Sequence, residues 1–280
     1  MSGDETDNKT PVLMYHEVLD VVERERSVRA MVPLYCLSAH QFRQQMDYLR
    51  RHEYGTVTME DLGAADREEP STMVGITFDD GLVGNYRFAF PILGEFGFNA
   101  TVFLVVSRIG NDPRFLDWGQ VAEMSAAGIL IGSHTMTHRP LETIASDEVF
   151  NELHESKSII EDRIGRPVKH LSLPHGSAND RVLETAREVG YSTICTSDIG
   201  TAIRGVNPSV IERIPIVDKD DLRRFARIVE LDSRVIRKLA RVKRLKSRVK
   251  RMIGIETYRK LYRLLFRIRP GHTHGVSRRS

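Results

Sequence analysis

Val74-Gly-Ile-Thr-Phe78-Asp79-Asp80-Gly81 is a short apolar run that stops on two carboxylates and a glycine. It reads as a buried strand whose carboxyl end carries the polar pair. Two adjacent carboxylates in an extended segment point in opposite directions, so one can ligate a metal while the other handles protons. Gly81 lets the backbone turn beside them. The plainer reading is a strand–turn junction, since Asp and Gly are ordinary turn residues.

Outward from this run, strands and helices alternate. Upstream, Pro11-Val-Leu-Met-Tyr-His16 is a strand ending in a histidine. Ser38 is positioned to cap a helix whose Phe42, Met46 and Leu49 share one face. Downstream, Tyr86 to Phe96 is helical in spacing with Pro91 as a kink, and Ala100–Val106 is a strand apolar on both faces, as in a parallel sheet. A helix from Trp118 to Ala127 precedes the strand Ile129–Ile131, and a long helix from Ser146 to Ile164 precedes the strand His170–Leu173. A helix from Asp180 to Val189, the strand Ser192–Cys195 and the strand Arg213–Val217 close the series. Repeated βα units predict an α/β fold with parallel strands, an open sheet or a barrel.

In such folds chemistry sits at the carboxyl ends of strands. Those ends here deliver His16, Asp79 and Asp80, His134 with His138, and Pro174-His175-Gly176. His134 and His138 stand four apart and can share a metal. With an aspartate they form an N,O donor set that suits Zn²⁺ with open positions.

Thr77-Phe-Asp-Asp-Gly81, Gly132-Ser-His134-Thr-Met-Thr-His138 and Leu173-Pro-His-Gly176, in this order, resemble the motifs of the polysaccharide deacetylases of the NodB homology domain, carbohydrate esterase family 4. The resemblance spans roughly residues 11–217. It implies a distorted (β/α) barrel of about seven parallel strands holding one divalent metal ion, Zn²⁺ being the expected one. Asp80, His134 and His138 would be its ligands and Asp79 the base, and the reaction would be hydrolysis of an N-acetyl group on an N-acetylhexosamine glycan or glycolipid, with metal-activated water as nucleophile. Two departures stand out. The third motif lacks the arginine that orients the catalytic aspartate in the family; Arg213, ahead of the last strand, is one candidate to replace it. The late L-x-L-H motif that supplies the general acid is also missing, whereas Leu13-Met-Tyr-His16 has that form at the front, as in members that resemble circular permutations. His16 is then the acid and His175 its rival, with the Pro174-His175-Gly176 loop expected at the substrate and oxyanion. The alternatives are a metal-dependent hydrolase of another non-peptide amide, or a carbohydrate-binding scaffold without catalysis.

Composition bounds the rest. With 280 residues and 41% apolar content the chain can bury one sizeable core. No window reaches the roughly 18 uninterrupted apolar residues of a membrane span. Cys36 and Cys195 stand alone, which points to core residues rather than a disulfide framework or thiolate zinc site. The start, residues 1–10, is polar without the pattern of a secretory signal, so a cytoplasmic location is expected.

The net charge of +3 conceals a division. Residues 221–280 hold 20 of the 41 Lys+Arg against four acids, a balance of +16, which leaves the body at −13. Residues 11–220 are read as the barrel, 221–270 as a basic amphipathic helical extension, with apolar positions from Val235 to Met252 and again from Tyr258 to Ile268, and 271–280 as a disordered tail. Such an extension either packs on the barrel with a solvated outer face or adsorbs to an anionic membrane surface, which would place the protein at the inner face of the membrane. No readout motif points to specific nucleic-acid binding.

Overall fold

The computed structural model describes residues 9–21, 23, 35–63, 72–176, 179–203 and 209–253. Residues 1–8 of the polar start, the second amphipathic segment around 258–268 and the tail 271–280 lie outside the described residues.

Nine strands form the main sheet: β1 (Val12–Tyr15), β2 (Gly55–Val57), β3 (Met73–Phe78), β4 (Thr101–Leu104), β5 (Leu130–Ser133), β6 (His170–Ser172), β7 (Thr193–Cys195), β8 (Val210–Ile211) and β9 (Ile214–Pro215). Their order is β8-β7-β6-β5-β4-β3-β1-β9, with β2 on the first half of β3, and every pairing is parallel. The two strands at the ends of this order are consecutive in the chain, separated only by Glu212 and Arg213. The sheet therefore curls until its edges face each other, giving a distorted barrel with one unpaired seam that the chain crosses at Arg213. The short strands β2 and β8 account for the excess over seven; three- and two-residue pieces carry too little pattern to be read from sequence.

Parallel neighbours need crossover connections, and helices supply most of them. These are α1 (Ala39–Arg51), α2 (Phe90–Phe96), α3 (Trp118–Ala126), α4 (Ser146–Ile164) and α5 (Asp180–Glu188), followed by α6 (Leu222–Val229) and α7 (Ser233–Ile253). Ser38 caps α1 in a capping box with Gln41. A wide π turn over Asn85–Ala89 precedes α2, whose Pro91 has no N–H to offer a regular first turn. The basic helical extension expected from residue 221 is broken at Leu231, which has φ 55°; Asp232 then accepts the N–H of Arg234 (2.8 Å) and opens α7. The helix α6 packs Phe225, Ile228 and Val229 into the core beside α1.

Strand side chains alternate between two cores. Leu13, Tyr15, Val74, Ile76, Phe78, Val102 and Leu104 face outward under the helices, against Phe42, Met46, Leu153 and Ile160. Val12, Met73, Phe103, Cys195 and Ile211 face inward and meet Val57 and Met59 in a smaller core inside the barrel. Gly132 lets Phe103 fit there, because a Cβ on it would come within 2.6 Å of the Phe103 ring.

Candidate active site

The inward parity that fills the barrel also builds the site at its carboxyl end. Met73, Gly75 and Thr77 lead to Asp79 on β3, Ile211 leads to Arg213 at the seam, and His170 leads to Ser172 on β6. These converge on one network. Arg213 is fully buried; its Nη1 and Nη2 donate to Asp79 Oδ1 and Oδ2, each at 2.8 Å. Its remaining donors go to Thr77 Oγ1 (3.2 Å), Ser172 Oγ (2.8 Å) and Thr196 O (2.9 Å). The guanidinium also lies over the Phe103 ring, 5.5 Å from its centroid. Burial alone would raise the Asp79 pKa, but the Arg213 charge, helped by His134, the paired hydrogen bonds and His16, holds it well below the usual carboxylate range. The arginine absent from the third motif is thus present in space, delivered from the seam.

His16 belongs to the same layer. Tyr15 stands opposite Phe78 in the β1–β3 pairing, so His16 and Asp79 follow side by side, and the Asp79 N–H donates to Tyr15 O at 3.0 Å. The His16 ring packs on Tyr35 with centroids 4.7 Å apart, and its Nδ1 is buried without a hydrogen-bond partner among the described residues.

Asp80 turns the other way, with φ 76°, and meets the two histidines. Its Oδ1 is 3.5 Å from both His134 Nε2 and His138 Nε2, and all three donor atoms lie within 4.8 Å of one another. Ligands of a tetrahedral Zn²⁺ at about 2.0–2.1 Å stand roughly 3.3 Å apart, so the spacing fits a divalent ion. His134 Nδ1 contacts Ser172 O at 2.7 Å, an acceptor only, which puts the proton on Nδ1 and leaves the Nε2 lone pair facing the site. Burial, with the neighbouring His134 ring, lowers the His138 pKa to about 4, so that ring too is neutral at pH 7.

Backbone strain is concentrated here. Of the six described non-glycine residues with positive φ, four are Asp80, Thr135, His138 and His175. The loop carrying His138 is braced from α4. Buried Glu152 accepts the Thr137 N–H (2.8 Å) through Oε2 and the Thr137 hydroxyl through Oε1, while its carbonyl takes the Met136 N–H (3.2 Å). Glu152, Ser172 and Thr196 were not read from the sequence; polar residues on the inner or loop-facing side of an element carry no distinctive spacing.

In the Pro174-His175-Gly176 loop, the His175 ring is exposed and stands 5.0 Å from that of His138. Pro174 has no N–H, and Gly176 donates its own to Leu173 O at 2.9 Å. Cys36 and Cys195 are buried.

A family model described as polysaccharide deacetylase matches residues 66–194. YxkH of Bacillus subtilis (strain 168), which carries the polysaccharide deacetylase name, is 30% identical over 211 residues, 74% of this chain and 71% of YxkH. The peptidoglycan-N-acetylglucosamine deacetylase of Bacillus cereus is 29% identical over 142 residues, 50% of this chain and 64% of that protein. The Streptococcus pyogenes deacetylase PplD, solved in complex with acetate, superposes with a TM-score of 0.70 over 80% of this chain and 99% of its own, and at 24% identity it bears on the fold alone. The motif residues gathered at one end of a distorted parallel barrel, together with the extended match to YxkH, identify the chain as a member of the polysaccharide deacetylase family, hydrolases of non-peptide carbon–nitrogen bonds.

Proposed function

We propose that the chain removes N-acetyl groups from an N-acetylhexosamine-containing glycan or glycolipid, releasing acetate and a free amino sugar. The observation that carries this reading is the division of labour between two adjacent carboxylates: Asp79 clamped by Arg213, and Asp80 facing two histidines. Asp80, His134 and His138 would hold one divalent cation, with zinc favoured by the two imidazoles and one carboxylate. When bound, such an ion supplies Lewis acidity, which lowers the pKa of a coordinated water towards about 7 and polarises a carbonyl.

The chain's own groups supply the proton chemistry. Asp79, kept ionised by Arg213, accepts the proton of the attacking water at a carboxylate oxygen; the clamp also fixes its orientation. His16, beside Asp79 on the neighbouring strand, carries the proton that the leaving nitrogen must receive as the C–N bond breaks. His175, exposed and against His138, is better placed to contact substrate at the mouth than to protonate inside it.

N-acetylglucosamine oligomers incubated with the zinc-loaded protein should release acetate. Removal of the ion by a chelator should stop release, and zinc should restore it. Acetate release that persists in the metal-free protein would remove the basis of this reading.

A further inference from the structure

The helix α7 has two distinct halves. Its first turns lie beside the amino ends of the strands: Ser233, Ile236 and Arg237 share a cavity of about 610 Å³ with Pro11, Tyr54 and Met73. Val235, between them, is buried in the main core. Ten residues on, Lys243 pairs with Asp198 at 3.1 Å. Asp198 lies three residues past the carboxyl end of β7, and its carbonyl accepts the Arg213 N–H at 2.8 Å. The helix therefore climbs the barrel towards the end that carries the site. The residues after Lys243 continue for about 15 Å at 1.5 Å per residue.

In this outer half, among the described residues, three of the four apolar stripe positions are exposed and Val249 is half-buried. Val242, Leu245, Val249 and Met252 recur at steps of three, four and three, which places them on one face. Val242 is 43%, Leu245 64% and Met252 84% exposed. The helix carries ten Lys and Arg and no acid. An exposed apolar stripe bordered by cations suits the interface of an anionic bilayer, where apolar side chains enter the acyl boundary and cations meet the headgroups. A solvated helix needs no such stripe, and a nucleic-acid groove has no use for it.

We infer that the outer half of α7 docks on an anionic lipid surface, at the same end of the barrel as the Asp79–Asp80 site, so that the site works on glycan presented at that surface. The second clause rests on the deacetylase reading; the docking itself does not. The test is co-sedimentation of the full chain with vesicles of phosphatidylcholine alone or with 30% phosphatidylglycerol, beside the double variant Leu245→Glu, Met252→Glu. Those two side chains are exposed, so the fold should be unaffected, and circular dichroism checks this.

Partitioning at least about tenfold stronger onto the anionic vesicles, weakened by salt and largely lost in the double variant, is the expected result. Equal partitioning onto both vesicles, or binding indifferent to the two glutamates, would overturn it. So would duplex DNA that displaces the protein from vesicles and binds the double variant as well as the wild type, which would make the helix a nucleic-acid surface. Acetate release from soluble oligomers, assayed in parallel, reports on the catalytic reading independently. A vesicle-anchored N-acetylglucosamine lipid deacetylated more slowly by the double variant, at an unchanged rate on soluble oligomers, supports the shared orientation; an equal rate on both contradicts it.

Discussion

Arg213 answers a question that its neighbours in sequence cannot. It is a fully buried cation with every nitrogen partnered, and its main partner is the carboxylate assigned as base. Arg213→Met should leave the Asp79 charge buried and unpaired, at a cost of about 3–5 kcal/mol in a urea titration; an unchanged midpoint would mean the pair is not holding the barrel end together. Asp79, Asp80, His134 and His138 were legible in the sequence because each follows an apolar run and strand ends gather polar chemistry. Arg213 could be named only as a candidate, since its contact depends on the sheet curling far enough to bring the seam opposite β3. His170 was legible as strand but not as a buried ring inside the barrel with no hydrogen-bond partner among the described residues. Burial lowers its pKa from 6.5 to about 4, against the pull of Glu60. The folded ring stays neutral while the unfolded one takes a proton below pH 6.5. Its linked stability is therefore complete above pH 6.5 and lost as pH falls towards 4, about 3 kcal/mol in all. His170→Leu should flatten the pH dependence of the urea midpoint between pH 6.5 and 4 relative to wild type; parallel curves would contradict the assignment. Losses tied to Asp79 belong to lower pH, because its pKa is held below the unfolded value of 3.8.

At the scale of elements, the long helix α4 does more than cover the sheet. Its bounds, Ser146–Ile164, follow from the acidic first turn and the apolar face, and the structure has the same ones. What the spacing did not reveal is that Glu152 on this helix holds the left-handed loop of Thr135 to His138 by three hydrogen bonds. Bracing of this kind is a tertiary fact, invisible to a periodicity that only separates buried from exposed positions. Glu152→Gln should leave the fold intact and weaken zinc binding by about 10-fold or more, measured by competition with a chromophoric chelator. Wild-type affinity in that variant would mean the loop is rigid without the brace. The short strands β2 and β8 escaped the sequence reading because two or three residues cannot establish an alternation, yet β8 is the strand that carries the chain into the seam.

Taken whole, the molecule places an acidic body and a cationic helix on one chain: α6 packs into the barrel core, while α7, tied to the barrel by Lys243 and Asp198, leaves Val242, Leu245 and Met252 exposed. Fold class was legible because nearly every βα unit announced itself through an apolar run and an amphipathic helix. The closure of the sheet was not, since it depends on contacts between strands at opposite ends of the sequence. In the proposed reaction two neighbouring carboxylates do different work, Asp79 moving a proton and Asp80 holding the ion. The most direct test is to load wild type and Asp79→Asn with zinc, count bound metal, and measure acetate released from N-acetylglucosamine oligomers. The expected result is one ion per chain in both proteins and a rate at least about 100-fold lower in the variant. A variant that releases acetate as fast as wild type, or that loses its metal, would contradict it.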